Sequence, residues 1–414
     1  MATLSAESKT AIEHTVDQAT SSGKIPGFVI NVVNKDGDSL VSYASGKEGS
    51  ETDKPMTTDH IFWLASCTKL IGAICGMQQV EKGLIGLDDA DKVEELVPEL
   101  KDVKLIKEVD GKLELVKPKN RITLRMLLTH TAGFSYSFFH PWIKEMQPDI
   151  NELDEGCESV LKTHLVFEPG TDWGYGASLD WAGVVIERLT KTPLSELVQK
   201  EIFDPLGIKD MTFRPTAEQQ KRLAKLHQRD AEGKVKERDH FYPFDASFES
   251  FGAGLWAKGS EYTKVLAALL DDGGKILSKK SVDEMFTNQI PQWPNYGRRL
   301  IPAAKPEFTN PLPELFPQGE APQGWGISFM QTIEPTETGR GPNVGWWAGI
   351  MNSFWWVDRA KGVAGLAQAQ ILPFGDMDVM VLWQTIEALT YQGLKEPKKE
   401  PVDEATKGVE KLKV

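Results

Sequence analysis

Trp63-Leu64-Ala65-Ser66-Cys67-Thr68-Lys69-Leu70 is the stretch around which this chain is organised. Ser66 stands three residues before Lys69, and Leu70, Ile71, Ile74 and Met77 follow at helical spacing. A separation of three puts the serine and lysine side chains on one helical face, within reach of each other. A serine hydroxyl is a weak nucleophile until a neighbour takes its proton. An ordinary lysine, with a pKa of about 10.4, keeps its own proton near neutrality, but desolvation or nearby positive charge lowers that value. Backbone N–H groups at the helix start also favour developing negative charge. The pattern is that of an acyl-transfer nucleophile with a built-in base. Taken alone, it better fits a capping serine followed by a solvated lysine. Ser21–Lys24 and Ser159–Lys162 share the spacing without catalytic surroundings.

A chain of 414 residues is long enough for a large core and two closely joined domains. Its 40% hydrophobic and 26% charged residues are ordinary globular values. A net charge of −13 argues against a nucleic-acid or anionic-membrane surface. No apolar run is long enough to cross a bilayer, and Met1–Glu7 lacks the basic and apolar regions of a secretory signal. Cys67, Cys75 and Cys157 make no disulfide framework and suit a reducing compartment. A cytoplasmic protein is expected, bound to neither membrane nor nucleic acid.

Around the central stretch, Ala6–Thr20 reads as an amphipathic helix, and Phe28–Val33 with Leu40–Ala44 as strands joined by a turn over Asn34–Gly37. Helical patterns dominate from Lys69 to Leu206, among them Leu124–His130 and Leu179–Thr190, with Gly207 as a stop. The charged stretch 217–240 reads as a solvent-facing helix or excursion, and Gly252–Leu255 as the opening of a helix running to Leu270. Eight of the 24 prolines lie between Pro291 and Pro322, among aromatic residues, as in a loop bordering a pocket. Strands return near Gly326–Ile333, Phe354–Val357 and Gly362–Gln368, before a helix over Met377–Tyr391 and a charged, frayed tail. The expected domains are a sheet domain from 1–66 and 250–414 and a mainly helical domain over 67–249. The active site would lie in the cleft between them.

Two further stretches carry chemistry. Tyr175 stands between glycines where Pro169–Asp180 turns into a helix. Beside a cationic lysine its phenol pKa would fall, making it a base towards Ser66, although this stretch alone reads more readily as an aromatic loop anchor. In Gly345-Trp346-Trp347-Ala348-Gly349-Ile350, small residues on a strand edge would let a backbone N–H approach a substrate carbonyl, as an oxyanion hole requires, or would mark a bulged strand.

In order, Ser66-x-x-Lys69, Tyr175 and Trp347-Ala348-Gly349 resemble the three motifs of the class C β-lactamase-like serine hydrolases. That superfamily includes penicillin-binding proteins, family VIII carboxylesterases and fungal acyltransferases. Leu127–Gly133, Glu168-Pro169-Gly170 and Pro205–Met211 extend the resemblance. His130–Tyr136 with His140-Pro141, and Tyr175–Gly183, are similar to the fungal lovastatin-type acyltransferase branch. The resemblance implies an α/β (α+β) fold, an antiparallel sheet flanked by helices with an all-α domain, of the β-lactamase/transpeptidase type. It implies Ser66 as the acylated nucleophile, Lys69 and Tyr175 as the proton-handling pair, and the N–H groups of Ser66 and Ile350 as the oxyanion hole. No cofactor and no metal are called for.

Two departures bear on substrate. Ala177 stands where β-lactamases carry an asparagine amide, and Trp347-Ala348-Gly349 replaces a Lys-Thr-Gly that binds a carboxylate. Both make the pocket less polar and count against β-lactams. Trp347, Ala348, Gly349, Ala177, Trp346, Trp325 and His140 are therefore the expected substrate-binding residues, while His130 is read as structural. The expected activity is hydrolysis of a hydrophobic, polyketide-type ester. The alternative is transfer of a short acyl group, from a donor such as a thioester or an acyl-carrier protein, to an alcohol of a secondary metabolite. No Gly-x-Ser-x-Gly elbow supports an α/β-hydrolase, and no His-Glu-x-x-His a zinc enzyme. A non-catalytic scaffold is disfavoured because serine, lysine and tyrosine are all present.

Overall fold

The computed structural model describes residues 2–153, 158–296, 301–311 and 321–395. Near the N-terminus, Ser5 caps helix α1 (Ala6–Ser21) by accepting from the Ser8 N–H at 3.1 Å. Strands β1 (Gly27–Asn34) and β2 (Ser39–Gly46) then form the expected hairpin. Its turn is closed by the Asn34 side chain, which accepts from the N–H groups of Asp36 and Asp38, each at 3.0 Å.

The later strands are β3 (Gln323–Trp325), β4 (Met330–Thr332), β5 (Gly345–Gly349), β6 (Ser353–Asp358) and β7 (Val363–Gln368). The seven lie in the order β3-β4-β5-β6-β7-β1-β2, every neighbouring pair antiparallel. One antiparallel sheet is thus assembled from residues near both ends of the chain. The C-terminal helix Met377–Gly393 lies beside α1, where the Ser8 hydroxyl donates to the Leu389 carbonyl, and stacks Trp383 on Phe354 of β6 at 4.3 Å. The charged tail beyond Lys395 lies outside the described residues.

The intervening region is largely helical but carries strands that the sequence reading missed. Leu105–Val109 pairs with Lys112–Val116 through Asp110 and Gly111, both at positive φ. That two-residue turn is the Asp-Gly signal of a hairpin. Leu226–Arg229 and Val235–Arg238 form another hairpin inside the stretch read as helix or excursion. Its alternation is masked by charge, yet Leu226 and His227 are buried, and Ile371-Leu372 adds alongside as a parallel strand. Trp256–Lys258 is also a strand, paired with Ile61–Trp63, before the helix Gly259–Leu270 begins. This pairing fixes the backbone just before Ser66.

Candidate active site

Ser66 occupies a 3-10 turn, Ala65–Cys67, that leads into the helix Thr68–Glu81, whose residues are buried from Thr68 to Gln79. Ala65 has φ +44°, in the left-handed region that residues with a Cβ rarely adopt. Such a conformation persists only when its surroundings fix it. Here the Leu64 N–H donates to the Leu255 carbonyl at 2.9 Å and the Trp63 indole to the Ala253 carbonyl at 2.7 Å. On the other side of the turn, Tyr262 Oη donates to the Cys67 carbonyl at 2.9 Å. The serine is presented by a tied loop.

Lys69 follows one helical turn later with no solvent exposure. Its Nζ donates to Ser66 Oγ at 3.1 Å, to Tyr136 Oη at 3.1 Å and to the Gly252 carbonyl at 2.7 Å. It also lies 4.8 Å from the centre of the Tyr175 ring. The three-residue spacing therefore does bring amine and hydroxyl into contact. Tyr136 and Gly252 went unread because nothing local in sequence marks a residue as facing a lysine 67 or 183 positions away.

Tyr175 Oη accepts from Trp347 Nε1 at 2.9 Å and is hydrogen-bonded to Ser66. Burial pushes its phenol above the ordinary value, and the bonds to Ser66 and Trp347 oppose the rise only in part. The expectation that Lys69 would lower this pKa is corrected. Desolvation of the phenolate is the larger effect, so the phenol is neutral near pH 7.

Strand β5 ends against the Ser66 turn. A Cβ on Gly349 would lie 2.4 Å from the Leu64 carbonyl, so the close approach requires glycine. As a result Ile350, one residue on, and Ser66 wall the same pocket. Gly349→Ala is expected to push the strand end away and lower kcat at least tenfold, since displacements of about 1 Å can cost a hundredfold. Steady-state ester kinetics, with a melting curve to show that the fold is kept, check this; an unchanged kcat contradicts it.

The other expected binding residues are placed unevenly. Trp347, Ala348 and Gly349 line the pocket with Ser66 and Tyr175. Trp325 is fully buried behind Trp347, edge-on at 4.7 Å, and supports that indole without reaching the cavity. Trp346 points away from it, as alternation along a strand dictates, and packs on Trp383 and the Arg340 guanidinium. Ala177 caps the helix Ser178–Thr190 with no exposed surface and is not part of the wall. His140 sits in a neighbouring chamber, caps the helix Pro141–Met146, and is lowered by burial to about 4. His130 is buried against the Tyr175 ring at 4.7 Å, kept neutral by desolvation.

The pocket encloses about 640 Å³ of free space counting its mouth, but only about 40 Å³ lies clear enough of the walls to seat a water centre. It is a narrow slot. Beyond the polar groups at Ser66, its walls include Phe138, Phe139, Leu153, Ile301 and Phe374. Ile301 comes from the proline-rich segment, whose described parts thus do border the pocket. A wider chamber of about 1110 Å³, walled by Trp142, Trp173 and Tyr296, shares Phe139, Tyr175 and Ile301 with the slot.

A profile of the family described as Beta-lactamase matches residues 12–385. The chain is 32% identical to lovastatin esterase of Penicillium rubens, over 89% of this chain and 94% of that protein. It is 30% identical to monacolin J acid methylbutanoyltransferase of Aspergillus terreus, over 94% and 97%. The structure of a mutant simvastatin synthase from Aspergillus terreus superposes with a TM-score of 0.80 at 30% identity, covering 94% of this chain and 95% of that one.

Proposed function

The chain belongs to the beta-lactamase family, and from that premise we propose that it is a serine esterase forming an acyl-enzyme on Ser66. The observation that carries this reading is the contact of a fully buried Lys69 amine with Ser66 Oγ at 3.1 Å. The free-amine form of Lys69 takes the hydroxyl proton as Oγ attacks the ester carbonyl. The N–H groups of Ser66 and Ile350 receive the oxyanion. As the carbonyl–oxygen bond breaks, the coupled Lys69–Tyr175 pair returns the proton to the leaving alcohol. Water then attacks the acyl-enzyme carbonyl and gives a proton to the pair, which returns it to Ser66 Oγ as the acyl–oxygen bond breaks and the acid leaves. The slot lies between a sheet domain of 1–66 and 250–414 and a helical domain of 67–249, a division supported by the walls each contributes.

The substrate of this reading is a hydrophobic ester of polyketide type, with the acyl group in the slot. Transfer to an alcohol is the second reading, favoured by the wider chamber beside Tyr175, which has room for an acceptor or for the arm of a thioester donor. Incubation with activated acyl esters, with and without polyol alcohols, followed by mass spectrometry of the products, separates the two. Free acid alone supports hydrolysis, and a new ester supports transfer.

The apolar walls also set selectivity. A β-lactam carboxylate would face Trp347 and Ala348, and an unpaired polar group costs about 1–3 kcal/mol or more. The expected kcat/KM for hydrophobic esters therefore exceeds that for penicillins by at least about a hundredfold, measured side by side. Efficient penicillin hydrolysis contradicts it. Ala177→Asn would not repair the deficit, because the site is fully buried and outside the wall.

A further inference from the structure

Asp180 borders the slot with 1% of its surface exposed, and the steps above make no use of it. It stands five residues after Tyr175, in the first turn of the helix Ser178–Thr190. A buried carboxylate is costly unless hydrogen-bonded, and this one is. Its Oδ1 accepts from Ser250 Oγ at 2.6 Å and from the Gly252 N–H at 3.0 Å. Ser250 Oγ in turn accepts from the Ala253 N–H at 2.9 Å, which closes the 250–253 turn on itself. The turn presses so closely on the carboxylate that a Cβ on Gly252 would lie 2.3 Å from Asp180 Oδ2. The carbonyl of this same Gly252 accepts from Lys69 Nζ at 2.7 Å, closer than the 3.1 Å contacts of the amine with Ser66 and Tyr136.

We propose that Asp180 is a positioning residue for Lys69, an inference that rests on the acyl-transfer reading. Through the Ser250–Gly252 turn it holds a carbonyl against the amine, and its buried negative charge balances the ammonium formed when Lys69 takes the Ser66 proton. Among the groups facing Lys69 are Ser66, Tyr136, Tyr175 and Gly252, with His130, Cys67 and Asp180 within electrostatic reach. Burial keeps His130 uncharged and pushes the Cys67 thiol and the Tyr175 phenol up, so none of these three is an anion at neutral pH. Burial also raises the Asp180 carboxyl, while the Lys69 charge and the bonds from Ser250 and Gly252 act to keep it ionised.

Asp180→Asn keeps the size and an oxygen able to accept both bonds, but removes the charge. Losing a neighbouring anion makes an ammonium easier to deprotonate. The limb of the pH–acylation profile that reports Lys69 should therefore move to lower pH by about one unit, with the optimum rate reduced about tenfold. Ser250→Ala keeps the charge and loosens the turn, so it should lower the rate several-fold and leave that limb in place. Acylation is read by labelling with a fluorophosphonate and by the burst of a nitrophenyl ester. An Asp180→Asn enzyme with the wild-type profile overturns the inference, even if its melting temperature falls, because a merely structural role would not move the limb. If that variant does not fold, an unchanged rate in Ser250→Ala overturns it instead. A wild-type enzyme that is never labelled removes the acyl-transfer reading itself, which distinguishes the two failures.

Discussion

Ser66→Ala is expected to lower ester turnover by at least about a thousandfold, because the remaining pocket can bind an ester but cannot form the acyl-enzyme. The side chain is small and its turn is tied by the backbone bonds of Leu64 and Cys67, not by the hydroxyl. The melting temperature should therefore stay within about 1 °C of the parent, the change expected for no more than about 1 kcal/mol in a chain of 414 residues. Initial rates with a nitrophenyl ester, with scanning calorimetry alongside, provide the check. Turnover near that of the parent would move the nucleophile elsewhere.

Tyr175→Phe should be nearly as damaging. The phenol bridges Ser66 and the Trp347 indole, and it is neutral at rest, so its value to the reaction lies in passing a proton, not in holding a charge. Loss of a general acid–base group typically costs a hundred- to ten-thousandfold. Stopped-flow acylation should fall by about a hundredfold or more. Trp347→Phe provides the control, since it removes the indole donor and leaves the phenol, and a drop of less than about tenfold is expected. A Tyr175→Phe enzyme within a few-fold of the parent would assign the proton transfer to Lys69 and Tyr136 alone.

The parts of this architecture that were legible are those with a local cause. The Ser66–Lys69 contact follows from helical spacing, and the first hairpin follows from Asn34 and Gly37 at its turn. Strands β1, β6 and β7 of the central sheet were visible because both of their faces are buried and they read as apolar runs, whereas Gly326–Ile333, read as one strand, is a bend followed by the short β4, with β3 lying before it. The Leu105–Val116 hairpin was missed although Asp110-Gly111 marks its turn, because its largely exposed strands are rich in lysine and glutamate, which hid the alternation. The Leu226–Arg238 hairpin is pinned by Ile371-Leu372, a partner more than 130 positions away that no local pattern reports.

The site divides in the same way. Motif order located the serine, lysine, tyrosine and Trp347-Ala348-Gly349, but not the environment that sets their chemistry. Tyr175 looked like a base because a cation was near, and the cost of burying its phenolate emerged only from the packing of His130, Tyr136 and Trp347 around it. Trp346 and Trp325 were grouped with Trp347 by adjacency or by type, whereas the alternation of β5 and the depth of β3 put both outside the cavity. Asp180 sat inside a motif that had been read, yet its partners Ser250 and Gly252 are some 70 residues away.

The central claim is that an acyl group passes through Ser66. It is tested most directly by mixing the enzyme with an activated ester for milliseconds, quenching in acid, and mapping the acylated peptide by mass spectrometry. The account predicts one acyl mass on the peptide containing Ser66, absent from Ser66→Ala. An adduct on Lys69, on Cys67 or on any other residue that persists in Ser66→Ala would contradict it.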